Sequence, residues 1–278
     1  MKVRIESRAT RLNVVLLAVT LMSCAGASEV VKVEKPDEWT LVWSDEFEGP
    51  AGSAVDAAKW GFDVGGHGWG NEQLEYNREG TPNASLDGEG NLAVTAREET
   101  YEGNTYTSAR LLTKGKFDHT YGRIEARIKL PEGQGIWPAF WMLGADFEAV
   151  GWPDCGEIDI LEYRGQEVGT VHGSLHGPGY SGATPISSSY NLQDGGFHED
   201  FHVFGVTWDP GRIAWHVDGE VYAVATPASL PSGTKWVFDH PFFLILNVAV
   251  GGGFVGGVGP DTEFPQTMLV DWVRVYAR

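Results

Sequence analysis

"GRIEARIKL", Gly122–Leu130, alternates without a break: Ile124, Ala126, Ile128 and Leu130 are apolar, and Arg123, Glu125, Arg127 and Lys129 are charged. A period of two is the signature of a strand with one face in a core and the other in water. The same reading extends to "NLAVTA" (91–96), "HVFGVTW" (202–208), "FFLILNVAV" (242–250) and "MLVDWVRVYA" (268–277). In "RIAWHVDGEVYAV" (212–224) two short runs flank Asp218-Gly219, a strong hairpin signal. No segment carries a long 3.6-residue period, and no tandem repeat is visible. The expectation is an all-β chain folded as one antiparallel β-sandwich. The length of 278 residues is compatible with a single all-β domain.

The N-terminus reads differently. Lys2, Arg4, Arg8 and Arg11 precede an apolar run, Leu12–Met22, that is too short to span a membrane. This is an export signal, expected over residues 1–24. "LMSC" (21–24) resembles a bacterial lipobox with Cys24 as the lipidated residue, although Met22 departs from the small or β-branched residue usual there. "AGA" (25–27) offers an ordinary cleavage site instead. The lipobox is preferred and free secretion is kept as the alternative, so the protein is expected to be exported, either as a cell-surface or outer-membrane lipoprotein or as a secreted protein. Residues 25–37, with "VEKPDE" at 33–38, read as a polar linker, and the domain as 38–278.

The formal charge is −18, and cleavage before Cys24 would remove Lys2, Arg4, Arg8, Arg11 and Glu6 and leave the chain more acidic still. Such a surface repels phosphates and excludes nucleic acid as a partner. Membrane contact is expected only through a lipid anchor, and the protein is expected to be a monomer. Without Cys24, Cys155 has no disulfide partner, and it reads as a small buried residue. The glycine-rich stretch "VGGGFVGGVG" (250–259) is a loop by composition. It lacks the Lys-Ser/Thr of a phosphate loop. "HEDFH" (198–202) matches the zinc-protease pattern H-E-x-x-H, but Gly195-Gly196 precede it and a strand follows, so no helix sets His198 and His202 on one face. His172 and His176 have a similar spacing on a strand, with no third ligand in view.

"GEIDILEY" (156–163) carries Glu157, Asp159 and Glu162. On a regular strand the first two share a face and Glu162 falls on the other, about 16 Å from Glu157 at the strand's rise per residue. A bulge at Ile160-Leu161 would return Glu162 to the shared face and shorten the span to about 13 Å. The carboxyl groups could then lean together towards the 5–5.5 Å or so that a retaining glycosidase needs. Trp137, Trp141 and Trp152 lie close by in "IWPAFWMLG" (136–144) and "GWPD" (151–154). Flat apolar rings beside paired acids suit the faces of sugar rings.

Here "GEIDILEY" resembles the E-x-D-x-x-E signature of glycoside hydrolase family 16, in the bulged form of its laminarinases, the endo-1,3-β-glucanases. "GWGNEQLEY" (68–76), "YGRIEARIKLP" (121–131), "GSLHG" (173–177), "DFHVFGVTWDP" (200–210) and "FPQTMLVDWVRVYAR" (264–278) resemble family segments in family order, over about residues 38–278. The resemblance implies a β-jelly roll of two curved antiparallel sheets with a concave substrate cleft. It implies endo-hydrolysis of 1,3-β-glucan by a retaining double displacement, with a polysaccharide as partner and no cofactor for catalysis. By the same resemblance Glu157 is the nucleophile, Asp159 the assisting carboxylate and Glu162 the general acid/base, protonated while Glu157 stays ionised. Trp137, Trp141 and Trp152 match sugar-stacking or cleft positions. Arg110, Asn71, Glu72 and His176 match polar contacts. A structural calcium, common in the family, would take Glu48, the carbonyl of Gly90, and Asp271. Where relatives often carry Asn-Trp after "VGG", this chain has Gly253-Phe254, a change at one end of the cleft. The other readings on this fold are mixed-linkage glucan, a marine galactan, or a non-catalytic β-glucan-binding protein. The bulge argues against the dedicated mixed-linkage enzymes. The scarcity of Lys and Arg around the tryptophans argues against sulfated galactans, and the presence of all three acids argues against a binding module.

Overall fold

The computed structural model describes residues 39–278; the expected signal segment and the whole of the expected linker lie outside them. Seventeen strands follow one another along the described chain: β1 (Thr40–Asp45), β2 (Gly61–Phe62), β3 (Glu75–Asn77), β4 (Ala84–Leu86), β5 (Leu92–Tyr101), β6 (Asn104–Ser108), β7 (Arg110–Leu112), β8 (Gly122–Lys129), β9 (Ile136–Gly144), β10 (Glu157–Tyr163), β11 (Thr170–His176), β12 (Ile186–Asn191), β13 (His202–Asp209), β14 (Arg212–Val217), β15 (Glu220–Ala225), β16 (Phe242–Val250) and β17 (Gln266–Ala277). Among the described residues, the one α-helical turn, Phe147–Val150, lies between β9 and β10.

They form two sheets. The first runs β15-β14-β13-β8-β17-β5-β6-β3, with β1 added on β17 and β4 on β5. The second runs β12-β11-β10-β9-β16-β7-β2. The pairs are antiparallel except β3 with β6. This is a jelly-roll sandwich of two large sheets, and the second carries the row of acids.

Local chemistry explains the elements. In β8, Ile124, Ala126 and Ile128 are fully buried in the core between the sheets, as their alternation requires. On the opposite face Glu125 is buried as well: the His216 ring lies across Gly205, where a Cβ would meet it at 2.4 Å, and its Nε2 comes within 3.6 Å of the Glu125 carboxylate. Alternation assigned the face, but the neighbouring strand decides how wet it is. Asp218 and Gly219 both take positive φ (51° and 82°), the backbone of a two-residue hairpin turn between β14 and β15.

All nine residues of β16 are buried, because it lies in the middle of the second sheet with covered faces on both sides. Away from the main core, two smaller apolar clusters sit along this sheet. One joins Leu112, Leu143, Cys155, Phe243 and Ile245, with Trp141 and Phe147 against it. The other joins Trp137, Ala249 and Val255, with Phe254 against it. Cys155 is fully enclosed, and burial pushes its thiol up to about 11, which makes it an inert packing residue.

Candidate active site

β10 carries the bulge. Against β9, Asp159 faces Trp141 and Leu161 faces Phe140, so two steps on β10 match one on its neighbour. Against β11, Asp159 faces Ser174 and Glu162 faces His172, so three steps match two. Both neighbours count one extra residue, at the position where the spacing of the acids requires it. Ile158, Ile160 and Leu161 are buried in the main core. Glu162 rejoins the face of Glu157 and Asp159.

β11 sets a second row beside the acids. His176, Ser174 and His172 pair in register with Glu157, Asp159 and Glu162. His176 Nδ1 accepts the Gly182 backbone N–H at 3.1 Å, which places the ring proton on Nε2. That nitrogen lies 3.1 Å from Asp159 Oδ2 and 3.7 Å from Glu157 Oε1, close but off the line of an aligned hydrogen bond to Asp159. Ser174 Oγ donates to Glu162 Oε2 at 3.4 Å. Trp152, about half exposed, donates its indole N–H to Glu157 Oε2 at 2.9 Å.

Three carboxyl groups in a dry setting cannot all be charged. Burial, then the neighbouring acids, pushes Glu157 up to about 8. Burial raises Asp159 to about 8, and burial followed by the Asp159 charge raises Glu162 likewise. The resemblance implies a protonated Glu162 beside an ionised Glu157, and burial with like charge raises both carboxyls. What favours charge on Glu157 is first the neighbouring His176 and then the indole N–H of Trp152.

The cleft floor continues across β9, β16 and β7. Trp141 donates its indole N–H to Asn247 Oδ1 at 2.8 Å. Arg110, opposite Asn247 in register, lies over the rings of Trp69 and Trp141, at 4.9 and 4.7 Å from their centroids, and ion-pairs with Asp63 at 3.1 Å. Trp137 is nearly buried and packs against Phe254 at 5.1 Å. Phe254 also meets Arg164 (4.2 Å) and His172 (5.5 Å), so the position that departs from the family pattern still holds an aromatic ring. Asn71 and Glu72 are exposed in the loop before β3. Asn71 acts there through its carbonyl, which accepts the Gly253 N–H at 2.9 Å.

Beneath this loop lies a residue the sequence did not single out. Glu75 is fully buried and accepts the Val250 N–H at 2.8 Å and the Asn77 side-chain amide at 3.3 Å. It ties the start of the glycine-rich loop to β3. Asn247, Ser174 and Asp63 also went unnoticed. Only Ser174 left a trace, in the period-two run His172, Ser174, His176.

Among the described residues, Glu157, Asp159 and His176 form a group able to hold a metal by side chains alone. The proton on His176 Nε2 faces that group, which argues for a hydrogen-bonding role. Of the residues expected to hold calcium, Asp271 lies on β17 between Val270, which pairs with Leu92, and Val273, which pairs with Asp45. Oxygen donors of this kind suit calcium. One oxygen of Asp271 is already engaged by Arg127 Nη1 at 2.5 Å, so Arg127 shares that carboxylate. His198 and His202 are not on a helix. His202 opens β13 and bonds Asp218 at 2.7 Å, while His198 faces Glu132 at 3.5 Å.

Residues 71–274 match Glycosyl hydrolases family 16. The chain belongs to that family. A beta-glucanase of Rhodothermus marinus is 45% identical over 252 residues, covering 87% of each chain. The laminarinase catalytic domain of Thermotoga maritima superposes with a TM-score of 0.82 at 49% identity, over 87% of this chain and 99% of that one. The endo-β-1,3-glucanase of Pyrococcus furiosus gives 0.81 at 48%, over 86% and 94%. As a family 16 glycoside hydrolase the chain needs no cofactor for its chemistry, which rests on carboxyl groups.

Proposed function

We propose that this enzyme cleaves internal bonds of 1,3-β-glucan with retention of configuration, using Glu157, Asp159 and Glu162. The observation that carries the reading is the bulged strand, which sets all three acids on one face beside Trp141 and Trp152. Two solved relatives, a laminarinase and an endo-β-1,3-glucanase, support the substrate. Glu162 gives its proton to the glycosidic oxygen while a Glu157 oxygen attacks C1, and the C1–O bond breaks. Glu162 then takes a proton from water, which attacks C1 and frees Glu157. Asp159, the most deeply buried of the three, controls how many protons the group holds. Trp137, Trp141, Trp152, Arg110, Asn71, Glu72 and His176 are proposed to bind the glucan.

The deciding experiment digests laminarin, barley β-glucan, agarose and carrageenan in parallel. Laminarin should yield a ladder of oligosaccharides whose new ends are first β-anomers by NMR. Early α-anomer would rule out retention, and faster turnover of agarose would move the substrate. Glu157→Gln should lower kcat by roughly 10³-fold or more while glucan binding persists.

Export follows from the N-terminal sequence. The mass of the mature N-terminus separates a diacylated Cys24 from a chain cut after Ala27. Structural calcium at Glu48, Gly90 and Asp271 predicts that EDTA lowers Tm and leaves kcat intact in enzyme that stays folded; an unmoved Tm would remove the site. Sedimentation at a single 30.3 kDa mass for the full chain, less its leader, would establish the monomer.

A further inference from the structure

The bulge in β10 is held from the opposite sheet. Trp215 lies on β14, is 3% exposed and belongs to the main core. Its indole Nε1–H crosses that core and donates to the backbone carbonyl of Asp159 at 2.8 Å. Asp159 is the residue at which the register against both β9 and β11 breaks.

We propose that Trp215 is a positioning residue for the reacting pair, fixing the bulge that returns Glu162 to the face of Glu157. A bulge leaves ladder groups of the strand without their regular partners, and a buried carbonyl without a donor is costly. Without the extra residue's local turn, the strand beyond Ile160 would slip by one. Glu162 would then face the core, and Leu161, now fully buried, would face the cleft. A donor aimed at the carbonyl before the bulge stabilises the bulged register and not the slipped one.

The facing strand is shaped to admit that donor. Gly173 of β11 lies between Ser174 and His172, directly across from Ile160 and Leu161. A Cβ on Gly173 would come within 2.4 Å of Trp215 Cδ1, 2.6 Å of its Nε1 and 2.5 Å of the Tyr222 hydroxyl. The indole edge therefore occupies the space that any side chain at 173 would need. Glycine here serves close approach, which is one reason a strand interior carries it. Bulge, missing side chain and indole N–H make one unit: the cleft side of β11 presents His172 and Ser174 to the acids, and its core side receives the ring.

The proposal rests on Glu157 and Glu162 being the reacting pair. Its test compares two buried indoles. Trp208→Phe removes a bond of the same kind, from Nε1 to the Phe238 carbonyl at 3.0 Å, in the same sheet and away from β10. Trp215→Phe should lower kcat on laminarin by roughly ten- to a hundredfold, since small displacements of reacting groups cost that much. Its KM should stay within about twofold of wild type. The pH limbs of kcat/KM, set by Glu157, Asp159 and Glu162 with His176, His172 and Arg110 around them, should move. Trp208→Phe should lose Tm while keeping kcat, KM and both limbs. Gly173→Ala should follow Trp215→Phe, because it pushes the ring away from the same carbonyl. If Trp215→Phe does not fold, a benzothiophene isostere at 215 keeps the ring and deletes only the N–H, and the same kinetic losses are expected. A Trp215 variant with wild-type kcat and pH limbs, its only change a lower Tm, overturns the proposal. Wild-type enzyme inert on laminarin would instead overturn the catalytic reading on which it rests.

Discussion

Glu75 shows how a carboxylate outside the reacting group can set a pH limit on the enzyme. Burial is the main reason its carboxyl is held up to about 7, above the ordinary 4.5. The folded state therefore holds this proton more tightly than the unfolded one. The stability it contributes is complete below about 4.5 and is lost as pH rises through about 7. Glutamine keeps an oxygen for the Val250 N–H. Its amide can also serve Asn77 Oδ1, which is buried without a donor, once the Asn77 amide turns over. Glu75→Gln should thus gain about 1–3 kcal/mol over wild type at alkaline pH, with the gain shrinking towards zero in acid. Urea melts across the pH range would show it, and a pH-independent difference would mean that Glu75 is charged throughout. The three acids of β10 obey the same rule: burial raises all of them, so the folded protein is most stable where they are protonated. With Glu162 as the proposed general acid, activity should fall on the alkaline side as its raised carboxyl ionises.

The loop between β16 and β17 borders the Glu162 end of the acid row. It is anchored by Glu75 on Val250, by the Gly135 carbonyl on the Gly251 N–H, and by Asn71 on the Gly253 N–H. At its tip Phe254 leans on Trp137, Arg164 and His172, on the Glu162 side of the acid row. Phe254→Ala should raise KM for long laminari-oligosaccharides by roughly three- to tenfold and change kcat little, as loss of one stacking ring does when the chemistry is untouched. Equal KM values on short and long oligosaccharides would place the ring outside the substrate path. This loop and the bulge differ in how far the sequence revealed them. The bulge was legible because three acids that miss a period of two by one residue impose a count on the strand, and Ile158, Ile160 and Leu161 say which atoms belong in the core. The loop was legible only as glycine. What it touches depends on residues more than a hundred positions away, such as Glu75, Gly135 and Trp137, and no local period records such contacts. The same holds for Trp215: its own strand pattern puts it in the core, and only the sandwich brings it to Asp159.

On the scale of the molecule, charge and cleft act together. The formal charge is −18, and Arg110, a cation near the acids, is half-buried and paired with Asp63. The cleft thus offers aromatic faces and hydrogen bonds but little to attract an anion, and the surface around it repels one. Two consequences separate under salt. Repulsion among surface charges destabilises the compact state, and screening relieves it over a Debye length that falls from about 30 Å at 0.01 M to about 3 Å at 1 M. Tm should therefore climb with NaCl over that range. A neutral glucan feels no such field, so KM for laminarin should stay within about twofold across the same salt series. A sulfated galactan entering this cleft would have its KM fall steeply as salt rises, because screening removes the repulsion. Measuring both quantities in one titration distinguishes a surface that is acidic for solubility from one that selects substrate by charge. A laminarin KM that follows Tm would mean that the acids lining the cleft sense the same field as the surface. Substrate choice would then depend on the protonation state of Glu157, Asp159 and Glu162 as well as on the shape of the tryptophan-lined floor.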